Sequence, residues 1–278
     1  MRSTQPHRPG DDHPYEHTVT FDIETVVDTE PADGSFPPWP QHRPVAASFL
    51  DARWTSDGYR FSLATLICRA GEEAAFYDDV DRLLPAGATS VSYNGRGFDL
   101  PVLQLQAMAA HRFEAGDLSV HTHAHRYGAK HCDLADQMTG YGGTRRTGLA
   151  ELCAALGIPV KTSVHGADVG TLWRAGDEQA IIRYVEEDVI ATFILWLHWT
   201  AFRASDERRI VQPLTDLAKW IERDPALAHL LPFATCRPAL WARSRLLFHT
   251  VGHALAAAER RAQQDADERA FSGEPVTY

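Results

Sequence analysis

No apolar run in this chain is long enough to cross a bilayer. The longest nearly uncharged one, residues 189–202, is too short for a span and carries His198. The N-terminal segment MRSTQPHRPGDDHP has no apolar core, so neither a secretion signal nor an anchor is expected there. Cysteine is scarce, and Cys68, Cys132, Cys153 and Cys236 show no CxxC spacing. That argues against a disulfide framework and a cysteine zinc site, and it points to reduced thiols in a cytoplasm. Positive charge is short as well, with 27 Lys and Arg against 37 Asp and Glu, a net charge of −10. The balance argues against nucleic-acid binding over the whole surface, yet it allows a local cationic groove and an acidic cluster neutralised by metal. Internal repeats are absent.

What is present is the composition of a soluble globular protein: 278 residues, 44% hydrophobic and 23% charged. That length suits one large domain, or a domain with an appendage. Residues 1–16 are polar and expected to be disordered. A strand over 18–27 is followed by a stiff, proline-rich loop over 28–44, placed where a lid or substrate wall would stand. Strands over 45–54 and 59–69, separated by the turn residues SDG, suggest an antiparallel meander. Helix 72–84, strand 88–93 and helix 99–112 follow, and then a loop-rich stretch over 111–131 containing HTHAH. A short strand at 131–136, a helix over 147–157 and a long helix over 177–199 complete an α/β succession. After about residue 205 apolar residues recur only at helical spacing, which predicts a helical appendage over 205–258. The final stretch, 259–278, is charged and alanine-rich and is expected to be a flexible tail.

Three places carry chemistry. The run TFDIETVV, 20–27, reads as a strand, and along a strand Asp22 and Glu24 share one face. Two adjacent carboxylates in a buried strand are costly unless a cation compensates them. The second place is SYNGRGFDLPVL, where Asp99 follows a glycine-rich turn and Phe98 at the mouth of a helix. By itself Asp99 reads as a helix N-cap. The third is YVEEDVIAT, in which Tyr184 and Asp188 stand four apart on one helical face. Asp188 lies beside Ile181, Val185 and Ala191, a poor setting for an unpaired carboxylate, whereas Glu186 and Glu187 read as a solvated acidic face. The alternating histidines His121, His123, His125 and His131 have no second ligand pair and read as plain loop.

In combination, Asp-x-Glu on a strand, Asp after Asn-x-x-x-Phe and Tyr-x-x-x-Asp on a late helix resemble the DEDD family of 3′–5′ exonucleases, tyrosine subtype. More narrowly, the chain resembles the predicted exonucleases related to the proofreading domain of family B DNA polymerases. The resemblance spans 18–200 and takes in HCDLADQMTGYGGTRRTGLAELCAALGIP. It implies an α/β, ribonuclease-H-like fold with a five-stranded mixed sheet flanked by helices, here over 17–204. It implies that Asp22, Glu24, Asp99 and Asp188 hold two divalent cations, Mg²⁺ or Mn²⁺, with Asp22 bridging them and Tyr184 orienting the attacking water. Two such ions about 4 Å apart lower the pKa of water and stabilise the leaving 3′-oxygen. Hard cations of this kind prefer carboxylate oxygens.

Thr25 and the backbone beside Glu24 resemble the family's seat for the terminal nucleotide, and Asn94 and Phe98 are candidates for contacts to base or sugar. Across 126–146, Arg126, Lys130, Arg145 and Arg146 outnumber Asp133 and Asp136, which makes this the best candidate for a phosphate-tracking groove. The expected partner is the 3′ end of a single strand, DNA ahead of RNA, with no membrane. Too little chain follows residue 200 for a polymerase, so a proofreading role would need a separate polymerase or repair partner. RNA trimming and a catalytically silent nucleic-acid-binding module are the rival readings.

Overall fold

A computed structural model describes residues 16–29, 31, 35–159 and 168–272. The expectations for the N-terminal segment up to residue 15, and for residues 273–278, fall outside the described residues.

Three long strands form the meander that the sequence predicts: β1 (His17–Val27), β2 (His42–Thr55) and β3 (Gly58–Ile67). Their β-branched and aromatic content favours the pleated surface. Between β2 and β3 the chain turns at Gly58, whose φ of +110° disfavours a side chain. An added Cβ there would also stand 2.6 Å from an Asp216 carboxylate oxygen. Two short strands, β4 (Thr89–Ser92) and β5 (His131–Asp133), add in parallel, giving the order β3-β2-β1-β4-β5. This is the mixed five-stranded sheet implied by the resemblance, with β1 at its centre.

On one face, helices α1 (Glu73–Leu83), α2 (Asp99–Ala109) and α3 (Gly116–Thr122) cover Val19, Phe21 and Ile23. Helix α3 corrects the loop reading of 111–131. Its His121 is buried, with Nε2 3.2 Å from the Pro85 carbonyl. Next along the chain come α4 (Leu134–Met138), α5 (Leu149–Leu156), closed by Gly157 in the left-handed region, and α6 (Val169–Ala175).

The opposite face of the sheet is covered by α7 (Glu178–Ala204), which meets Val26 through Ile181 and Val185. Its second half, residues 189–197, is buried throughout, as a helix apolar on all sides must be. That burial comes from α8 (Arg208–Arg223), which packs against α7 and β3, with α9 (Leu231–Ala234) and α10 (Arg237–Ser272) beyond it. Leu214, Leu217 and Ile221 of α8 share one core cluster with Leu50, Ala52 and Val91 of the sheet. The helices after residue 205 therefore complete the core of the sheet domain. Glu186, expected to be solvated, ties these parts together: it accepts from Thr65 Oγ1 of β3 at 2.8 Å and pairs with His229 at 2.7 Å. The stretch expected to fray from 259 continues as helix to Ser272.

All four cysteines are free thiols. Among the described residues no helix is long and apolar enough to cross a membrane.

Burying each of the large apolar side chains of α8 stabilises the fold by roughly 1.5–3 kcal/mol. A chain truncated after Ala204 should consequently expose a sheet-facing core and fail to unfold cooperatively in a calorimetric or near-UV melt. A cooperative transition within a few degrees of the full chain's would mark the later helices as a separate unit.

Candidate active site

The first two carboxylates owe their position to β1. Asp22 and Glu24 share the strand face that Val26 turns toward α7, while Phe21 and Ile23 point into the opposite core. Asp188 reaches the same place from α7. One carboxylate oxygen each from Asp22, Glu24 and Asp188 lie within 4.8 Å of one another. Glu24 is only 8% exposed. Three like charges so close are mutually repulsive, and together they offer oxygen ligands that could hold a divalent cation.

Asp99 joins from the other side of Asp22. Strand β4 pairs with β1 only over Thr18–Thr20, so beyond that point the β1 edge is not covered by sheet. The Ile23 N–H there donates to Asp99 Oδ1 at 3.2 Å, and Asp99 also hydrogen-bonds Asp22. The N-cap reading of Asp99 is corrected: Phe98 occupies the N-cap of α2, and Asp99 turns its carboxylate across to β1. Burial raises the Asp99 pKa well above the usual carboxylate range, and the nearby Asp133 charge raises it further. Hydrogen bonds from backbone N–H groups and with Asp22 oppose that shift.

The turn that delivers Asp99 is fixed sterically. Asn94 has φ +67°, the left-handed region asparagine tolerates. A Cβ on Gly95 would lie 2.3 Å from Ser92 Oγ, and one on Gly97 would lie 2.7 Å from Asn94 Oδ1. Asp133, at the end of β5, anchors this turn. Its Oδ1 accepts from the N–H groups of Asn94 (3.0 Å), Ala135 (3.0 Å) and Asp136 (3.3 Å), and its Oδ2 accepts from that of Arg96 (2.9 Å). Sequence reasoning passed over Asp133; the available signal was an aspartate between a strand and a short helix.

Tyr184 packs beside the carboxylates. Burial raises its hydroxyl pKa beyond the ordinary tyrosine value, and the charges of Asp188, Glu24, Asp22 and Asp168 add to the shift. The phenol therefore stays neutral and can give or accept a hydrogen bond without acting as a base. Asp168, near the rim, is an acidic neighbour the sequence did not single out.

The expected substrate contacts divide into three groups. Thr25, half-buried, is bonded to His42 Nδ1 at 2.7 Å. Phe98 is also half-buried and packs against His42 (4.8 Å) and the exposed Phe36 (5.6 Å). Phe36 and His42 were not picked out from sequence, although Phe36 lies in the proline-rich loop predicted as a wall. Asn94 serves the turn, with its side-chain oxygen buried beneath Gly97. Arg145 and Arg146 are exposed and have no ion-pair partner among the described residues. The wider cationic groove is reduced: Lys130 Nζ donates to the Ala86 and Ala88 carbonyls, and Arg126 is paired with Asp136 at 2.7 Å.

A family model described as a predicted 3′–5′ exonuclease related to the exonuclease domain of PolB matches residues 34–236. The match begins after β1, so Asp22 and Glu24 precede it, and it ends beyond α9. Among solved structures, the chain is similar to the family B DNA polymerase of the hyperthermophilic archaeon Pyrobaculum calidifontis. Identity there is 19% and the TM-score 0.43, over 76% of this chain and 29% of that one. It is also similar to exonuclease I, at 16% identity and a TM-score of 0.40, over 64% of this chain and 39% of that one. The chain thus spans well under half of either neighbour. No curated protein matches it.

Kept free of divalent metal, the protein should lose stability as pH rises. Asp99 has a higher pKa folded than unfolded, so its protonated form stabilises the fold fully below the ordinary carboxylate pKa. That contribution is lost as pH rises through the folded value, near neutrality. Melting temperature in EDTA should accordingly fall between about pH 5 and pH 8, and Asp99→Asn should flatten the slope. A wild-type profile already flat would contradict a protonated Asp99. Separately, Asp133→Ala should cost about 2–4 kcal/mol in denaturant unfolding, because four N–H groups lose their acceptor. Asp133→Asn keeps one acceptor oxygen and should cost less; equal losses would contradict that account.

Proposed function

We propose that this chain, which belongs to the family of predicted 3′–5′ exonucleases related to the exonuclease domain of PolB, removes nucleotides from the 3′ end of single-stranded nucleic acid. DNA is the preferred strand, in keeping with the family's relation to a polymerase's exonuclease domain. Asp22, Glu24, Asp99 and Asp188 would hold two divalent cations, Mg²⁺ or Mn²⁺. The observation that carries this reading is the convergence of Asp22, Glu24 and Asp188 oxygens within 4.8 Å, with Asp99 bonded to Asp22 behind them.

The donor set fits hard cations. It is all oxygen, it is crowded beyond what like charges tolerate, and burial drives one member, Asp99, toward its protonated form. When bound, the two cations supply the positive charge that activates water and stabilises the departing 3′-oxygen. The chain's own groups do the remainder. Tyr184, held neutral, orients a water by hydrogen bonding. Thr25 meets the terminal sugar, and Phe98 with Phe36 forms an aromatic wall on which a base can stack. Arg145 and Arg146, exposed on a glycine-rich turn, reach backbone phosphates farther along the strand.

Incubating 3′-labelled and 5′-labelled single strands of DNA and RNA with Mg²⁺, Mn²⁺ or EDTA tests the reading. Metal-dependent shortening from the 3′ end is expected, faster on DNA, and Asp22→Ala or Asp188→Ala should abolish it without lowering the metal-free melting temperature. Undiminished digestion in EDTA would overturn it, and faster cleavage of RNA would move the assignment to RNA trimming. Binding without cleavage at any metal concentration would leave a silent binding module.

Arg145→Ala combined with Arg146→Ala should raise KM and flatten the salt dependence of binding by up to about two units of slope, with little change in turnover at saturation. An unchanged salt slope would place the strand elsewhere.

A further inference from the structure

Helix α10 turns its small residues inward and its large apolar residues outward. Ala239 and Ala242 are fully buried in the core cluster that α8 shares with the sheet. Leu240, Trp241, Leu247, Phe248, Val251 and Leu255 are exposed, Leu247 to 66% and Phe248 to 67%. At 3.6 residues per turn these six fall within an arc of about 120° on one side of the helix. A surface helix ordinarily does the reverse and keeps its apolar stripe toward the core. Beside the base of α10 lies a groove of about 760 Å³, lined among others by Ala201, Phe202, Pro238 and Trp241. Phe202 is 81% exposed.

Ion pairs border the stripe on both edges. On one edge Arg243 pairs with Glu222 at 2.7 Å, and on the other Glu207 holds Arg245 and, at 2.7 Å, His249. An apolar centre within a polar rim is the anatomy of an interface. At their exposed fractions, the stripe and Phe202 offer about 700 Å² of apolar surface. That is more than the largest patch of an ordinary monomer, roughly 300–600 Å², and close to the roughly 800 Å² each partner gives a stable interface. Leu240, Ser244, Leu247 and Val251 are spaced four, three and four, the seam along which two helices pair.

We propose that a second copy of this chain covers the stripe, the two α10 helices lying antiparallel across a two-fold axis near Leu247 and Phe248. The face complements itself in that arrangement. Leu255 stands about 21 Å along the helix from Trp241, and a reversed partner returns its own Leu255 to the groove beside Trp241 and Phe202. Each copy supplies one distal stripe and one groove, so a single pairing fills both and closes. Arg243 and Arg245 are already neutralised within their own chain, so pairing along the stripe desolvates no lone charge. The same neutralisation leaves little to draw the helix to an anionic lipid surface. This pairing is independent of what the carboxylate site cleaves.

Sedimentation equilibrium of the full chain at micromolar concentration, read against the 30.9 kDa of one copy, tests the pairing. Wild type should form a reversible dimer that tightens as salt rises, because apolar contact works there against a net charge of −10 on each copy. Leu247→Glu combined with Phe248→Glu should weaken self-association at least about a hundredfold, with an unchanged circular-dichroism spectrum. A dimer that survives this double change in a folded protein overturns the proposal. If the double variant does not fold, the exposed Leu255→Glu decides: weaker association supports the proposal and unchanged association overturns it. Wild type that stays monomeric overturns it, and so does growth past the dimer, since a two-fold pairing closes. Flotation with anionic phospholipid vesicles should leave the protein unbound. Binding to them that the double variant abolishes would give the face to a membrane and overturn the pairing.

Discussion

Repulsion among carboxylates is the constraint around which this molecule is organised. Asp22, Glu24 and Asp188 bring oxygens within 4.8 Å of one another, and Asp99 is hydrogen-bonded to the first of them. A fold gains nothing by such an arrangement in the absence of a cation. Burial of each carboxylate costs free energy, and proximity adds to the cost. The expense is met by rigid surroundings: the central strand of the sheet, a helix buried along half its length and a turn in which two glycines have no room for a side chain. The protein accepts local instability here and recovers it from two large cores on either side of β1.

The geometry of that cluster depends on where pairing stops. Had β4 paired with β1 three residues further, the Ile23 N–H would be taken by sheet and Asp99 would have no seat. Because β4 ends at Ser92, the chain turns through 94–97 and returns Asp99 to the uncovered edge. Asp133 makes the return reproducible by collecting the N–H groups of Asn94 and Arg96. The same carboxylate also raises the Asp99 pKa through space. One buried side chain thereby sets both the position and the charge of its neighbour.

The sheet, its central strand and the carboxylate stations were legible because each has a local signature. Alternation places Asp22 and Glu24 on one face, and fourfold spacing places Tyr184 with Asp188. His42, Phe36 and Asp133 have no such signature. Their roles come from a register shift, a loop folding back and a turn meeting a strand end, all of which are tertiary facts. The cationic stretch misled for the same reason: Lys130 is spent on two buried carbonyls that no pattern announces. The tail misled differently. The stretch from 259 is charged and alanine-rich with almost no aliphatic side chains, which points to a flexible tail, but Ala, Glu, Arg and Gln favour helix, and α10 runs on to Ser272.

Helix α7 links the site to the rest of the chain. Tyr184 and Asp188 lie in its first half, near β1, while residues 189–197 are enclosed by the sheet and α8. A helix advances 100° per residue, so a small rotation about its axis would swing Asp188 away from Asp22 and Glu24. Packing of the second half resists that rotation, because each apolar side chain has a fitted place against α8 or the sheet. Glu186 adds a polar stop, held by Thr65 on one side and His229 on the other. His229 belongs to the helical part that follows α8, and the family match extends through that part to residue 236. The late helices share a core with α7 and the sheet, and that shared packing keeps Asp188 at its angle.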